Sequence, residues 1–388
     1  MSRAFCLLPL VLLSGCELFG GIDAAKLPYH KTLLWQQSAG ASQGAPGVSA
    51  DAVFVLDQRR NLLALDRRDG TIRWSIVTQQ NGLNSGVSVV DQTAITAAGA
   101  LAAFDIPTRA LAWQSQIPDG LGGLPVAIAG TVILPSSYAS PTGMAYALTT
   151  DQQVVWQTSI LPPDSVVGSG DIARVFTPAR FAGALVYSFM WWRGSTQSVP
   201  KGGVAVVDAN TGNLRWSRLI PVLNPSTNTA PSDAVTDGSA VFVTSKDGRV
   251  LAFSIDDGRL LWTAGPVTPA SEVGAPDSRP LTVVDRTVVV GSGRSVMTGY
   301  GAQTGERKWQ VDTENGGTAQ IHSFGSNGAL AMHFNGGLSL REAATGRLLW
   351  IIEPRSNSDR VNSLHIAGDT VFGTSADVGL QAFILRPR

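Results

Sequence analysis

The chain has 388 residues, of which 44% are hydrophobic and only 15% are charged, and its 29 basic residues balance 29 acidic ones. This apolar and neutral composition excludes an intrinsically disordered chain, and it argues against a nucleic-acid-binding protein, which normally carries a basic excess. Two cysteines cannot support a disulfide scaffold.

The N-terminus has the pattern of a secretory signal. Arg3 precedes an apolar run over residues 4–13, which is shorter than the roughly 20 residues that cross a bilayer. The run ends in Leu-Ser-Gly-Cys at positions 13–16, which resembles the lipobox of bacterial lipoproteins. That resemblance implies a signal peptide over residues 1–15 and a lipid on Cys16; a plain signal peptide cut near Ala24 or Ala25 is the alternative. The absence of Asp after the cysteine, where Glu17 stands, implies outer-membrane sorting.

The signal predicts three parts of the chain. After residues 1–15, residues 16–31 would form a tether between the lipid and the folded body, and residues 32–388 would form one domain.

The sequence of that domain is repetitive, because eight of the ten tryptophans recur at a mean interval of about 45 residues. These are Trp35, Trp74, Trp113, Trp156, Trp216, Trp262, Trp309 and Trp350.

The residues before each tryptophan predict a β-hairpin. In five copies a glycine stands four residues before the tryptophan, as Gly70 does before Trp74. We expect that glycine in a turn with positive φ and the tryptophan on the second strand of the hairpin. The copies before Trp113 and Trp156 lack the glycine. Two further short strands precede each hairpin, such as 86–90 and 93–97, and four strands per repeat are typical of a propeller blade.

The two ends of the chain complement each other. Trp35 has no hairpin before it, and the strand at 380–384 has no tryptophan after it. Pairing the N-terminal and C-terminal strands would complete one blade and remove the open edges of a linear array. We therefore predict an all-β fold, an eight-bladed β-propeller of four-stranded antiparallel blades, with seven blades as the alternative count.

The repeat Ala-Leu-Asp-x-x-x-Gly-x-x-x-Trp, clearest at residues 64–74, resembles the PQQ-type propeller repeat, in which tryptophans dock between blades. With the lipobox and the split last blade, the chain resembles the BamB family of propeller lipoproteins in outer-membrane β-barrel assembly. The resemblance implies a scaffold without catalysis, anchored by lipid on the periplasmic face of the outer membrane. Its implied partners are the periplasmic POTRA domains of the barrel-inserting protein. It would act through clamping loops or through strand pairing with clients at exposed sheet edges.

One local match suggests contact residues. The segment at 170–178 carries Asp171, Ile172 and Arg174 and then Thr-Pro, as does the partner surface of the family. The resemblance implies that these three residues contact the partner; an ion pair of Arg174 within a blade loop is the alternative.

Trp191 and Trp192 lie outside the repeat in an extended hairpin. Neighbouring strand residues point to opposite faces, so we expect either an exposed hot spot or a buried rim loop.

Enzyme chemistry finds little support in the sequence. Quinoprotein dehydrogenases share the repeat, but alcohol-oxidising members carry adjacent cysteines and a calcium site, and this chain has no adjacent cysteine pair. No metal site is predicted from His30, His322, His333 and His365, although His322 and His333 are placed to face each other across a hairpin. We therefore expect no cofactor, no small-molecule substrate and no nucleic acid. An envelope lipoprotein that binds another protein or a polysaccharide stays open, as does a PQQ-dependent dehydrogenase.

Overall fold

The computed structural model shows eight antiparallel sheets arranged around a central axis, and no α-helix is found among the residues that it describes. The described residues are 24–38, 44–78, 86–97, 101–115, 125–128, 130–135, 143–162, 172–192, 199–222, 228–265, 280–293, 295–313, 316–352, 360–375 and 379–388. The predicted signal peptide over residues 1–15 and the predicted lipid site at Cys16 lie outside them. Within the described part, no helix is long and apolar enough to span a membrane.

Each sheet is one blade, and its strands follow one another from the centre outwards. Blades 1 to 4 consist of β2 (Gly47–Val48), β3 (Ala52–Leu56), β4 (Asn61–Asp66), β5 (Ile72–Val77); β6 (Val87–Val90), β7 (Thr93–Ala97), β8 (Leu101–Asp105), β9 (Leu111–Ser115); β10 (Val126–Ile128), β11 (Thr131–Pro135), β12 (Met144–Thr149), β13 (Val154–Ser159); and β14 (Ile172–Val175), β15 (Ala179–Phe181), β16 (Ala184–Trp192), β17 (Lys201–Asp208), β18 (Leu214–Leu219).

Blades 5 to 8 continue the pattern, and the last one takes its outer strand from the N-terminus. They consist of β19 (Val235–Thr236), β20 (Ala240–Thr244), β21 (Val250–Ser254), β22 (Leu260–Ala264); β23 (Leu281–Val284), β24 (Thr287–Gly291), β25 (Val296–Gly301), β26 (Arg307–Asp312); β27 (Thr318–Phe324), β28 (Gly328–His333), β29 (Leu338–Glu342), β30 (Leu348–Ile352); and β31 (Ser363–Ala367), β32 (Thr370–Ser375), β33 (Gly379–Pro387), β1 (Tyr29–Gln37). A short 3-10 turn over Ala24–Lys26 precedes β1.

The predicted closure of the ring is confirmed. Strands β1 and β33 pair antiparallel, with Thr32 opposite Ile384, and the N–H of Arg388 donates to the carbonyl of Pro28 at 2.8 Å. The count of eight blades is confirmed and the alternative of seven is excluded. Strand β1 begins at Tyr29, so pairing starts three residues before the boundary expected at residue 32.

The core consists of eight apolar layers, one between each pair of neighbouring blades. Each middle strand therefore packs on both faces, and β3, β20, β24 and β28 are buried along their whole length. Double-sided burial explains why these strands are continuous apolar runs rather than alternating patterns. The outer strands alternate instead, as β5 does, because only one of their faces packs against a neighbouring blade.

The hairpin glycines adopt the expected conformation. Gly70, Gly212, Gly258, Gly305 and Gly346 have φ between 71° and 75°. The two copies without glycine keep the same geometry, because Arg109 and Gln152 stand four residues before their tryptophans with φ of 62° and 70°.

Strand order also defines two faces of the ring. The turn face carries the turns between first and second and between third and fourth strands. The crossover face carries the hairpins between second and third strands and the connections from blade to blade.

Candidate functional site

The repeat tryptophans join each blade to the next one. Each lies on an outer strand, and in six of the eight the indole Nε1 donates to a backbone carbonyl in the hairpin turn of the following blade. The described acceptors are Arg67 for Trp35, Thr150 for Trp113, Ala209 for Trp156, Ile255 for Trp216, Ala302 for Trp262 and Ala343 for Trp309. The distance from Trp216 Nε1 to the Ile255 oxygen is 2.7 Å. These contacts are the inter-blade docking expected from the repeat.

The hairpin glycines form the surface on which these rings lie. A Cβ atom added at Gly258 would lie 2.6 Å from the ring of Trp216, and one added at Gly305 would lie 2.7 Å from Trp262. The glycine of each repeat therefore serves the tryptophan of the preceding blade, not its own. Positive φ and this close approach both require glycine at the position.

The residues proposed for partner contact belong to blade 4, the one five-stranded sheet among the described blades. Asp171 lies outside the described residues. Ile172 and Arg174 lie on the inner strand β14, where Ile172 pairs with Trp192 and Arg174 with Met190 on β16. The guanidinium of Arg174 is half-buried and lies 4.9 Å from the ring centroid of Phe176. Blade 4 thus brings the two described contact candidates next to the extra tryptophans.

Trp191 and Trp192 sit at the crossover end of the nine-residue strand β16, which confirms the extended hairpin. Trp192 is buried, whereas Trp191 is half-buried and packs against the apolar layer between blades 3 and 4. The buried indole Nε1 of Trp191 has no hydrogen-bond partner among the described residues. Neither ring is freely exposed, so a partner could reach only the accessible part of Trp191 without local opening.

A central channel opens on the crossover face and encloses a cavity of about 600 Å³. Its lining comes from the starts of inner strands and the residues just before them. The polar lining residues are Ser232, Asp233, Gln320, His322, Asn362 and Ser363. Asp233 is the one charged side chain among the described lining residues. The cavity is within the size range of ligand pockets in proteins.

The channel shifts the protonation of its ionisable groups. Asp233 is exposed to the channel, yet desolvation by the surrounding protein raises the pKa of its carboxyl to about 6, and the nearby charge of Arg174 opposes this only in part. Desolvation, with a smaller contribution from His365, lowers the pKa of His322 to about 4. The pKa of His365 is lowered by desolvation and by Arg67. At neutral pH both imidazoles are therefore uncharged and Asp233 is mostly ionised.

One sequence expectation about the histidines is wrong. His322 pairs with Leu330 and His333 with Thr318, so the two do not face each other across the hairpin. His333 is buried and its Nε2 lies 2.9 Å from the hydroxyl of Ser339, which is a structural role. Among the described residues, no group of three or more His, Cys, Asp or Glu side chains is placed to hold a metal ion.

The channel chemistry does not fit PQQ. PQQ is a tricarboxylate, and a protein that binds it must neutralise that charge. The described lining holds no cationic side chain and places the carboxylate of Asp233 in the cavity. An anion there would meet a like charge with no cationic lining residue to offset it, which is unfavourable.

The opposite shifts of His322 and Asp233 predict a pH effect on stability. A lowered folded pKa means that unfolded His322 binds more protons between about pH 6.5 and 4, so acidification over that window should cost about 1–3 kcal/mol. Asp233 acts in the opposite sense below pH 6, because its protonated form is favoured on folding. We expect His322→Gln to flatten and Asp233→Asn to steepen the acid loss in urea titrations at pH 7, 5.5 and 4.5. Equal slopes in both variants would contradict this assignment.

The sequence did not indicate the channel. Asp233 belongs to no motif, and the sequence singles out His322 only as a possible metal ligand. The usable signal was positional: a residue just before or within the first strand of a repeat faces the centre of a propeller. To apply that rule, the first residue of each inner strand must be known. Strand β19 is only two residues long, so its start cannot be located from the sequence.

Comparison with known proteins identifies the relatives of this fold. A family model described as outer membrane protein assembly factor BamB matches residues 28–189 and 200–385. A protein with that name from Nitrosomonas eutropha is 26% identical over 66% of this chain and 66% of its own length. The crystal structure of BamB from Moraxella catarrhalis superposes with a TM-score of 0.64 at 15% identity, covering 92% of this chain and 98% of that one.

The repeat is also shared with enzymes. A quinohemoprotein alcohol dehydrogenase, ADH IIB of Pseudomonas putida, is 31% identical over 37% of this chain, and the match spans only 21% of the enzyme. Such a partial match is what a shared blade repeat produces, since blades of this kind occur in proteins of unrelated function.

Proposed function

This chain belongs to the family of the outer membrane protein assembly factor BamB, and on that premise we propose that it is a non-catalytic, lipid-anchored periplasmic scaffold for the assembly of outer-membrane β-barrel proteins. The family match over 28–189 and 200–385 carries the proposal. Cys16 would hold the lipid at the periplasmic face of the outer membrane. The partners would be the periplasmic POTRA domains of the barrel-inserting protein.

The partner surface is proposed at the crossover side of blade 4. Asp171, Ile172 and Arg174 would contact the partner directly, and the accessible part of Trp191 would extend the surface. Trp192 would support it from below, because it is buried and pairs with Ile172. Arg174 supplies the directional contact, since a guanidinium already held over Phe176 loses little freedom on binding.

The outer strands support a second contact mode with unfolded clients. Each presents one unpaired edge, and several carry exposed apolar side chains, including Ile72, Val77, Leu111, Val154 and Leu260. An extended client segment could pair with such an edge through its backbone and rest apolar side chains on these positions. This mode would be weak and tolerant of sequence, as a scaffold for many clients requires.

The lack of catalysis is supported by the channel. The described lining of the channel carries the carboxylate of Asp233 and no cationic side chain, which disfavours a tricarboxylate such as PQQ. A scaffold needs no such site.

The proposal predicts specific capture from membranes. The full chain, tagged after the exposed Arg388, should recover a barrel-inserting outer-membrane protein in mild detergent. Arg174→Glu should reduce capture at least tenfold, since it reverses the charge of a central contact. Cys16→Ser should move the protein to the soluble fraction while leaving capture from detergent extracts intact.

Arg180 provides the matched control. It lies on β15 of the same blade but is fully exposed near the turn face. Arg180→Glu changes charge equally and should leave capture unchanged. Thermal unfolding of all variants checks that the blade is intact. Equal capture by the two arginine variants, or recovery of no barrel-assembly subunit by the wild-type chain, would refute the proposal.

A further inference from the structure

The central channel is a built polar cavity that the scaffold role leaves unused. Its lining residues come from six of the eight blades, so the site exists only when the ring is closed. Its lining combines hydrogen-bonding side chains with an apolar wall that includes Leu281, Ile321 and Leu364. The question is which ligand chemistry suits this lining.

The charge of the cavity lining determines whether a cationic or an anionic ligand is favoured. The carboxylate of Asp233 receives no hydrogen bond or ion pair from the described residues, and Arg174 acts on it only through space. His322 lines the same cavity and His365 lies close enough to affect it, and the lowered pKa values of both keep them uncharged, so they supply no competing positive charge. The cavity therefore holds one negative charge that Arg174 offsets only in part, in a concave setting where a ligand cation gains more than it would at a flat surface.

The neutral lining complements a nitrogen donor. His322 Nε2 lies 3.3 Å from the amide oxygen of Gln320, which leaves that oxygen a second lone pair, and the hydroxyl of Ser363 can also accept a hydrogen bond. An ammonium or guanidinium group carries three to five donors and no acceptor. A sugar would suit these groups less well, because the described lining offers His322 as its one aromatic ring and no Trp, Tyr or Phe on which a sugar face could stack.

We propose that the mouth of the central channel binds an alkylammonium or guanidinium group, with Asp233 as the counter-ion. The group could be a lysine or arginine side chain on the loop of a partner protein, or a small polyamine. A cavity of about 600 Å³ accommodates either one. The proposal does not depend on the proposed scaffold role, although Arg174 of blade 4 lies close enough to act on the charge of Asp233.

Calorimetry on the full chain tests the proposal with spermidine, N-acetyl-lysine amide and N-acetyl-arginine amide as probes at pH 7.5. We expect binding by the wild-type protein and at least a tenfold loss in Asp233→Asn, since the main counter-ion is gone. Asp369→Asn is the matched control, because Asp369 is exposed on the turn face, and it should bind like wild type. Affinity should fall as pH drops through about 6, where Asp233 takes up a proton.

A second pair of variants separates charge from shape. His322→Arg places a resident guanidinium in the channel and should abolish probe binding, whereas His322→Gln should retain it. Absence of probe binding to the wild-type chain, or equal binding by the Asp233 and Asp369 variants, would overturn the proposal. So would binding of a neutral sugar such as maltose in place of the amines.

The capture assay then identifies the source of the cation. If a protein side chain enters the channel, Asp233→Asn should reduce capture of that protein at least tenfold. If a polyamine is the ligand, the variant should lose spermidine binding and keep all its protein partners. Amine binding by the wild-type chain and its loss in Asp233→Asn are measured without any protein partner, so the two proposals can fail separately.

Discussion

Replacing Trp216 with alanine should lower the free energy of unfolding by about 3–5 kcal/mol, measured by chemical denaturation followed by circular dichroism. The indole is buried between blades 4 and 5, in a layer that includes Val206, Val243 and Phe253. Its removal leaves a cavity at an interface that cannot collapse, because the ring geometry fixes the spacing of the blades. Trp216→Phe should cost less, about 1–2 kcal/mol, mainly because the carbonyl of Ile255 loses its donor.

The partnership of Trp216 with the next blade predicts a strong coupling to Gly258. Alanine at Gly258 must adopt φ near 71° and would bring its Cβ to 2.6 Å from the Trp216 ring. In the wild-type background we expect a loss of about 2–4 kcal/mol, but in the Trp216→Ala background only the backbone cost of about 1 kcal/mol. The difference is the direct measure of the inter-blade contact.

Gly183 is the control for the backbone effect. It has φ of 77°, and an added Cβ would meet nothing within 4 Å. Gly183→Ala should cost about 1 kcal/mol in either background. Additive losses for Trp216 and Gly258 would mean that the ring and the turn do not support each other as described.

The second large effect concerns ring closure. A stop codon after Ser375 removes β33, which lies between β1 and β32 and carries the buried side chains Leu380, Phe383, Ile384 and Leu385. Burial of these four chains contributes about 6–12 kcal/mol, which is comparable to the whole stability of a typical domain. We expect no folded monomer by size-exclusion chromatography and circular dichroism. A truncated chain that keeps the native spectrum and size would contradict the role assigned to the closure.

A circular permutant of residues 28–388 tests closure without loss of any propeller strand. The backbone of Arg388 already bonds to that of Pro28 at 2.8 Å, so a short linker can join the two ends of the propeller. New termini can be opened in the exposed turn at Gly325 and Ser326 between β27 and β28. We expect this permutant to fold, because it converts the split blade into a continuous hairpin. Its failure would show that the order of the chain, not only the pairing of β1 with β33, controls folding.

Sequence and structure agree wherever the information is local. The Gly-x-x-x-Trp spacing predicted the hairpin and its positive φ, and even the turns at Arg109 and Gln152 follow it. The unpaired Trp35 strand predicted the closure, because the N-terminal strand and the C-terminal strand each lack a hairpin partner and can pair with each other. Blade 4 was harder: the sequence indicated an extended hairpin, but it did not show that β14 and β15 share the partner strand β16 or that Trp192 is buried.

By itself, the sequence determined the eight repeats, their strands and turns, the anchoring tryptophans and the family. Each of these depends on spacing within about 45 residues, and periodicity along the chain records such spacing directly. Only the tertiary structure decided that each glycine serves the tryptophan of the preceding blade, and that Asp233 and His322 meet in one channel. Those relations arise when the ring closes and brings together residues that are far apart in the chain. The ionisation of the channel follows from that enclosure, because desolvation is a property of the assembled ring and of no single segment.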